Sequence, residues 1–114
     1  MKAKEITLDT IFGAVNVYLL LGMSFAMIYG LIVAIDPGAI VYGGHGIESE
    51  ANPLFSLMYS SFVTLTTLGY GDIVPQTSGV QSYAIMEAAC GQIFLAVIIA
   101  RLIALQIMHK RSEA

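Results

Sequence analysis

The sequence predicts an all-α membrane protein in which two transmembrane helices flank a shorter helix that enters the bilayer and returns as an irregular loop. Three observations predict it. The 114 residues are 57% hydrophobic and only 11% charged, with a mean hydropathy of +0.79, whereas a soluble domain carries about 25% charged residues to keep its surface wet. Two long apolar runs sit towards the ends of the chain, each able to cross a bilayer. Between them lies a third, too short to cross, followed by a segment in which glycines alternate with other residues. A chain of 12.2 kDa has room for one compact module, residues 1–114, with none for a second domain holding an active site or a ligand sensor.

The outer helix is expected over residues 10–35. Thr10 to Ile35 are 26 consecutive uncharged residues, rising about 39 Å as a helix against a hydrocarbon core of roughly 30 Å. The run is longer than the roughly 7–15 apolar residues of a signal peptide, and no small-residue cleavage site follows it. Asp36-Pro37-Gly38 stops it, and an outer loop over 36–52 carries Asp36, Glu48 and Glu50, an acidic bias that concentrates cations. Asn52-Pro53 then reads as an N-cap followed by proline at the first helical position. It opens a helix over residues 53–66, whose fourteen residues give about 21 Å, a length that dips into the bilayer without spanning it. The inner helix is expected over 79–108. Val80 to Ala100 hold a single charge, Glu87, with Thr77 and Ser78 as candidate N-caps and Arg101 placed to snorkel to the headgroups.

Two crossings put both termini on one side, and all five basic residues, Lys2, Lys4, Arg101, Lys110 and Arg111, lie near the ends. That asymmetry marks a cytoplasmic face, so the chain is expected as a multi-pass protein of the plasma (inner) membrane with both termini cytoplasmic. The absence of a basic stripe interleaved with aromatics argues against nucleic-acid binding. Cys90 has no second cysteine to pair with. His45 reads as a solvated loop residue, His109 as part of the basic flank, and Tyr42, Tyr59 and Tyr83 as residues of the outer interface.

After the short helix come Thr66-Thr67-Leu68-Gly69-Tyr70-Gly71-Asp72 and Ile73-Val74-Pro75. Non-helical backbone at membrane depth is tolerated only where it is buried in protein or lines a water-filled path. Positive φ, accessible to Gly69 and Gly71, lets successive carbonyls point one way, which an ordinary strand does not allow. A row of oxygens facing one way is a ladder for cations. One chain lines one side of it, and a dehydrated cation needs oxygens all round, so copies of the chain must share a rotation axis.

The run T-T-L-G-Y-G-D at Thr66 to Asp72 resembles the selectivity-filter signature of potassium channels, in which four T-V-G-Y-G loops replace the hydration shell of the ion with carbonyl oxygens. The order of outer helix, re-entrant pore helix, filter and inner helix is also that family's, over nearly the whole chain. V-T-L-T-T-L-G-Y-G-D-I-V-P followed by E-A-A-C-G-Q-I-F-L-A-V-I-I-A-R-L is similar to the pore region of small bacterial two-transmembrane potassium channels. The resemblance implies two transmembrane helices flanking a re-entrant pore helix and selectivity-filter loop, assembled as a homotetramer in the lipid bilayer, that conducts K+ passively, without catalysis or a cofactor. It implies coordination by the carbonyls of Thr67, Leu68, Gly69 and Tyr70, with the Thr67 hydroxyl as the innermost ring and Gly71 making the outer turn. It further implies that the Tyr70 side chain points away from the axis, that Asp72 caps the filter from behind, and that Thr66, Tyr59 and Val63 support it. Some relatives carry further helices ahead of this region, so additional domains are expected if the chain is part of a longer protein.

Departures from the pattern are Leu68 in place of valine, Tyr59 and Ser60 in place of a tryptophan pair, and Val63 where some relatives have a carboxylate. The C-terminal end of the pore helix, near Thr64 to Thr66, is expected to turn its negative pole towards the cavity and favour a cation there. Gly91 falls where relatives have a hinge glycine, and reads equally as a small residue for close helix packing. Glu87 is expected to face the back of the pore helix, with a gating role or a structural hydrogen-bonded one. Register with relatives places Gln92 and Ile99 at the cavity, with Leu95 and Ala96 flanking. Two other functions compete with a potassium-selective pore: a weakly selective cation channel, and a non-conducting membrane assembly subunit that packs through Gly91. The stimulus for gating is not encoded in any motif of the chain.

Overall fold

In a computed structural model of the chain the described residues are 2–113, with side chains described for 8–112. The side chains of Lys2 and Lys4, two of the basic residues in the charge argument, lie outside the described residues. The order of elements is α1 (Lys2–Ile35), β1 (Ile40–Tyr42), β2 (His45–Gly46), a 3-10 turn (Ile47–Ser49), α2 (Pro53–Leu65), β3 (Ile73–Pro75) and α3 (Ser78–Glu113). Within α1 and α3, Leu8–Ile35 and Ser78–Ser112 are long and apolar enough to cross a membrane. Both helices run past the apolar stretches expected of them, because the flanking Lys, Glu, Ala and Arg residues are good helix formers and nothing breaks the helix at the edge of the bilayer.

The caps of α2 and α3 follow from sequence. Asn52 accepts from the Phe55 N–H at 3.2 Å, with Pro53 behind it in the first turn. Thr77 is the residue that caps α3, its hydroxyl accepting from the Val80 N–H at 3.3 Å. The two segments read as loops are not wholly irregular. β1 pairs antiparallel with β2 and with β3, giving the order β2-β1-β3. Gly43 and Gly44, with φ of 60° and 85°, form the two-residue turn of the β1–β2 hairpin, whose twist requires left-handed backbone at both positions. On the other edge Val41 stands opposite Val74, and the Gln76 N–H donates to the Ala39 carbonyl at 2.7 Å. The chain leaving the irregular segment is thereby stitched to the outer loop.

The core is a narrow seam. Ala26, Tyr29 and Val33 recur at three- and four-residue spacing on one face of α1 and are buried with Leu57 of α2, Val80 of α3, and Ala39, Ile40 and Ile47 of the outer loop. Tyr83, near the outer end of α3, packs its ring inwards, 5.1 Å from Phe25 and edge-on 5.0 Å from Tyr29. Most other large apolar side chains of α1 and α3, from Phe12 and Leu20 to Ile93 and Ile107, are exposed. An apolar exterior of this extent suits a lipid or a neighbouring copy, not water.

Candidate ion pathway

The irregular segment begins in the cap of α2. The Thr67 N–H donates to the Thr64 carbonyl at 3.0 Å and the Leu68 N–H to the Val63 carbonyl at 2.9 Å, the paired bonds of a Schellman motif. That motif needs a left-handed residue, usually glycine, just past the helix. Here it is Thr67, with φ of 59°. A β-branched residue in that region is strained, at a cost of about 1–3 kcal/mol. Gly69 and Gly71 follow with φ of 60° and 81°, so left-handed backbone falls on every second residue while Leu68 and Tyr70 lie outside it.

The hydrogen-bond accounting of this stretch is one-sided. The N–H groups of Thr67, Leu68 and Gly69 all donate into the last turns of α2, the last of them to the Val63 carbonyl at 3.3 Å. Among the described residues, no hydrogen bond is made to the carbonyls of Thr67, Leu68, Gly69 or Tyr70. Residues 66–71 are exposed in the single chain, so four successive backbone acceptors are left open at its surface, available to a ligand. The side chains of Leu68 and Tyr70 are 56% and 68% exposed; a single chain provides no pocket for either.

The end of α2 is more fully capped than a bare negative pole. Its Phe62 carbonyl accepts from the Thr66 N–H at 3.0 Å and the Thr66 hydroxyl at 2.7 Å, Val63 and Thr64 accept as above, and the Leu65 carbonyl accepts from the Tyr18 hydroxyl at 3.3 Å. These donors are neutral, so the sign of the helix dipole at this end is unchanged.

At the outer end, the Tyr59 hydroxyl donates to Asp72 Oδ2 at 2.9 Å while Oδ1 accepts from the Ile73 N–H at 3.0 Å. Tyr59 therefore faces Asp72. Glu87 is fully buried behind α2. Its Oε1 accepts from the Tyr29 hydroxyl at 2.9 Å and its Oε2 from the Ser61 hydroxyl at 2.5 Å, and Ser61 Oγ also lies 2.7 Å from the Gly22 carbonyl. One carboxyl group thus joins all three helices.

One turn further along α3, Gly91 is buried against the end of α2, where a methyl group in place of its hydrogen would collide with the Leu65 carbonyl oxygen. Close packing is the role this geometry supports directly. Gln92 Nε2 donates to Thr67 Oγ1 at 3.3 Å, and that hydroxyl donates to the Thr66 carbonyl at 2.6 Å. Ile99 and Leu95 are both exposed, and Leu95 also borders an apolar groove of about 190 Å³ lined by Ile11, Tyr18, Phe94 and Ile98. Residues 66–72, 87, 91 and 92 come together around the end of α2; Leu95 and Ile99 lie further down α3, and His45 sits apart in the hairpin. Sequence reasoning missed Tyr18, Tyr29 and Ser61. Their signal was a hydroxyl within an apolar membrane helix, which needs a partner inside the protein.

Two membrane-crossing helices around a short capped helix, with a run of open carbonyls at its tip, define a pore-loop membrane channel and not an enzyme. The sequence model of the ion-channel family matches residues 13–106. The chain belongs to that family, in its two-transmembrane pore-loop form. It is 34% identical over 99 residues to Protein LctB of Bacillus caldotenax and 35% identical over 100 residues to Protein LctB of Geobacillus stearothermophilus, in each case over 85% of this chain and 72% of the relative. It is 38% identical over 55 residues to Two-pore potassium channel 4 of Arabidopsis thaliana, covering 48% of this chain and 19% of the plant protein. The chain thus spans under a fifth of the length of that plant channel. No solved structure matches it.

Proposed function

We propose that four copies of this chain surround a common axis and form a potassium-selective channel of the plasma (inner) membrane, with both termini in the cytoplasm. The carbonyls of Thr67, Leu68, Gly69 and Tyr70 replace the hydration shell of the ion, and the Thr67 hydroxyl forms the innermost ring. The observation that carries this reading is the one-sided accounting of the segment: left-handed backbone at Thr67, Gly69 and Gly71, N–H groups tied to the pore helix, and four carbonyls left open. The N–H groups of Leu68 and Gly69, bonded to the Val63 carbonyl, anchor the peptide units that carry the Thr67 and Leu68 oxygens to α2, so the inner half of the ladder resists closing around a smaller ion, which favours K+ over Na+. Tyr59 and Asp72 steady the outer mouth, and Glu87 holds the pore helix to both membrane helices. The similarity to the plant potassium channels supports the choice of ion.

Liposomes containing the purified chain, loaded with K+ and diluted into Na+ medium, test this reading. A K+ efflux that stops at the potassium equilibrium potential until a protonophore is added is the expected result. Equal fluxes of K+ and Na+ would refute the selectivity, and liposomes as tight as empty ones would refute the channel.

A further inference from the structure

We propose that Gln92 sets how tightly the innermost ring of the filter holds a cation, by committing part of the Thr67 hydroxyl to a hydrogen bond within the protein. The inference rests on the filter reading above. A hydroxyl has one hydrogen and two lone pairs. The Thr67 hydrogen is given to the Thr66 carbonyl at 2.6 Å, and one lone pair faces Gln92 Nε2 at 3.3 Å. One lone pair remains for an ion. The amide also turns the positive end of an N–H dipole towards that oxygen, which opposes a cation arriving there.

The placement of Gln92 is fixed by its neighbour. Gly91 is buried against the Leu65 carbonyl with no room for a methyl group between them, so the turn of α3 that carries Gln92 is set against the end of the pore helix. Below that contact the Gln92 side chain is exposed in the single chain. Four copies about one axis place a ring of carboxamides directly beneath the ring of hydroxyls. Gln92 is in this sense a positioning residue: it acts on the ion through Thr67, and its effect requires the Thr67 oxygen.

That requirement makes the proposal testable on the purified chain, residues 1–114, in detergent. Ba2+, close to K+ in size and doubly charged, is titrated calorimetrically into the wild type, Gln92→Leu and Gln92→Ala, and into the same three sequences carrying Thr67→Ser or Thr67→Val. Removal of the amide donor is expected to tighten Ba2+ binding roughly three- to tenfold, the range set by the net worth of one hydrogen bond. The gain should persist with Thr67→Ser, which keeps the hydroxyl, and vanish with Thr67→Val. Because Leu and Ala differ in bulk, a gain shared by both separates the lost donor from a packing change. Unchanged or weaker Ba2+ binding in the two Gln92 variants would overturn the proposal, as would an equal gain in the Thr67→Val background. A wild type that binds no Ba2+ and shows no preference for K+ would instead remove the filter reading itself, and the inference with it.

Discussion

At the scale of single residues, Thr67 runs against conformational preference, and its place in the proposed filter supplies a reason. Its left-handed backbone belongs to the type of site that glycine fills at the end of a helix, and the chain places a β-branched residue there. The hydroxyl is what glycine lacks. Thr67→Gly should therefore stabilise the folded chain by about 1 kcal/mol through relief of strain, while weakening K+ binding and selectivity through loss of the innermost oxygen. Thermal unfolding in detergent and K+-over-Na+ flux check the two halves; a variant that is both less stable and equally selective would contradict this account. The left-handed backbone of Gly69 and Gly71 was legible in the sequence because glycine advertises it. That of Thr67 was not, because the preference of threonine points the other way and only the cap geometry of α2 reveals the demand. Likewise Glu87 was legible as a buried acid facing the pore helix, but its partners were not, since single hydroxyls on apolar helices leave no periodic trace.

At the scale of elements, α3 meets the pore helix at two points one turn apart, Glu87 on Ser61 and Gly91 on Leu65, and Gln92 beside Gly91 reaches Thr67 just past its end. The pore helix is held from behind by polar groups and at its tip by backbone contact, so the filter inherits its position from both membrane helices. Ser61 has one hydroxyl hydrogen but two acceptors within reach, the Gly22 carbonyl and Glu87 Oε2. Glutamine at position 87 offers an N–H on that side and an oxygen to Tyr29, which satisfies the whole chain of bonds. Glu87→Gln should accordingly keep the fold and assembly, whereas Glu87→Ala should lose about 2–4 kcal/mol from the cavity and the orphaned hydroxyls. Chemical denaturation of the two variants checks this, and an equal loss in both would contradict it. The helices were legible from run length and from Asn52-Pro53. The small sheet was not, although Ile40-Val41-Tyr42-Gly43-Gly44 is a short β-branched and aromatic run ending in a hairpin turn. Its strands have two or three residues each, too few for alternation to show.

At the scale of the whole molecule, the described chain is 61 Å long and about 23 by 21 Å across, longer than a bilayer core of roughly 30 Å is thick. α3 alone, with 36 residues, exceeds that thickness, and Lys110 and Arg111 lie in its last turn. The acidic residues Asp36, Glu48 and Glu50 lie at the other end, in the outer loop. This polarity predicts the orientation of the protein. In a Cys90→Ser background, Glu48→Cys should react with a membrane-impermeant maleimide on intact cells, and Ser112→Cys only after permeabilisation; the opposite pattern would reverse the topology. The exposed apolar sides of α1 and α3 leave no buried core able to hold a lone chain in water, and a single filter strand coordinates no ion from one side. Both accord with the proposed assembly about an axis through the open carbonyls.

The most direct test of that claim is the reversal potential of the purified protein in a planar bilayer, with K+ on one side and Na+ on the other. The account predicts reversal near the potassium equilibrium potential, with the preference lost in variants that remove the left-handed backbone at Gly69. Reversal near zero would contradict it, because the carbonyl ladder would then not be what selects the ion.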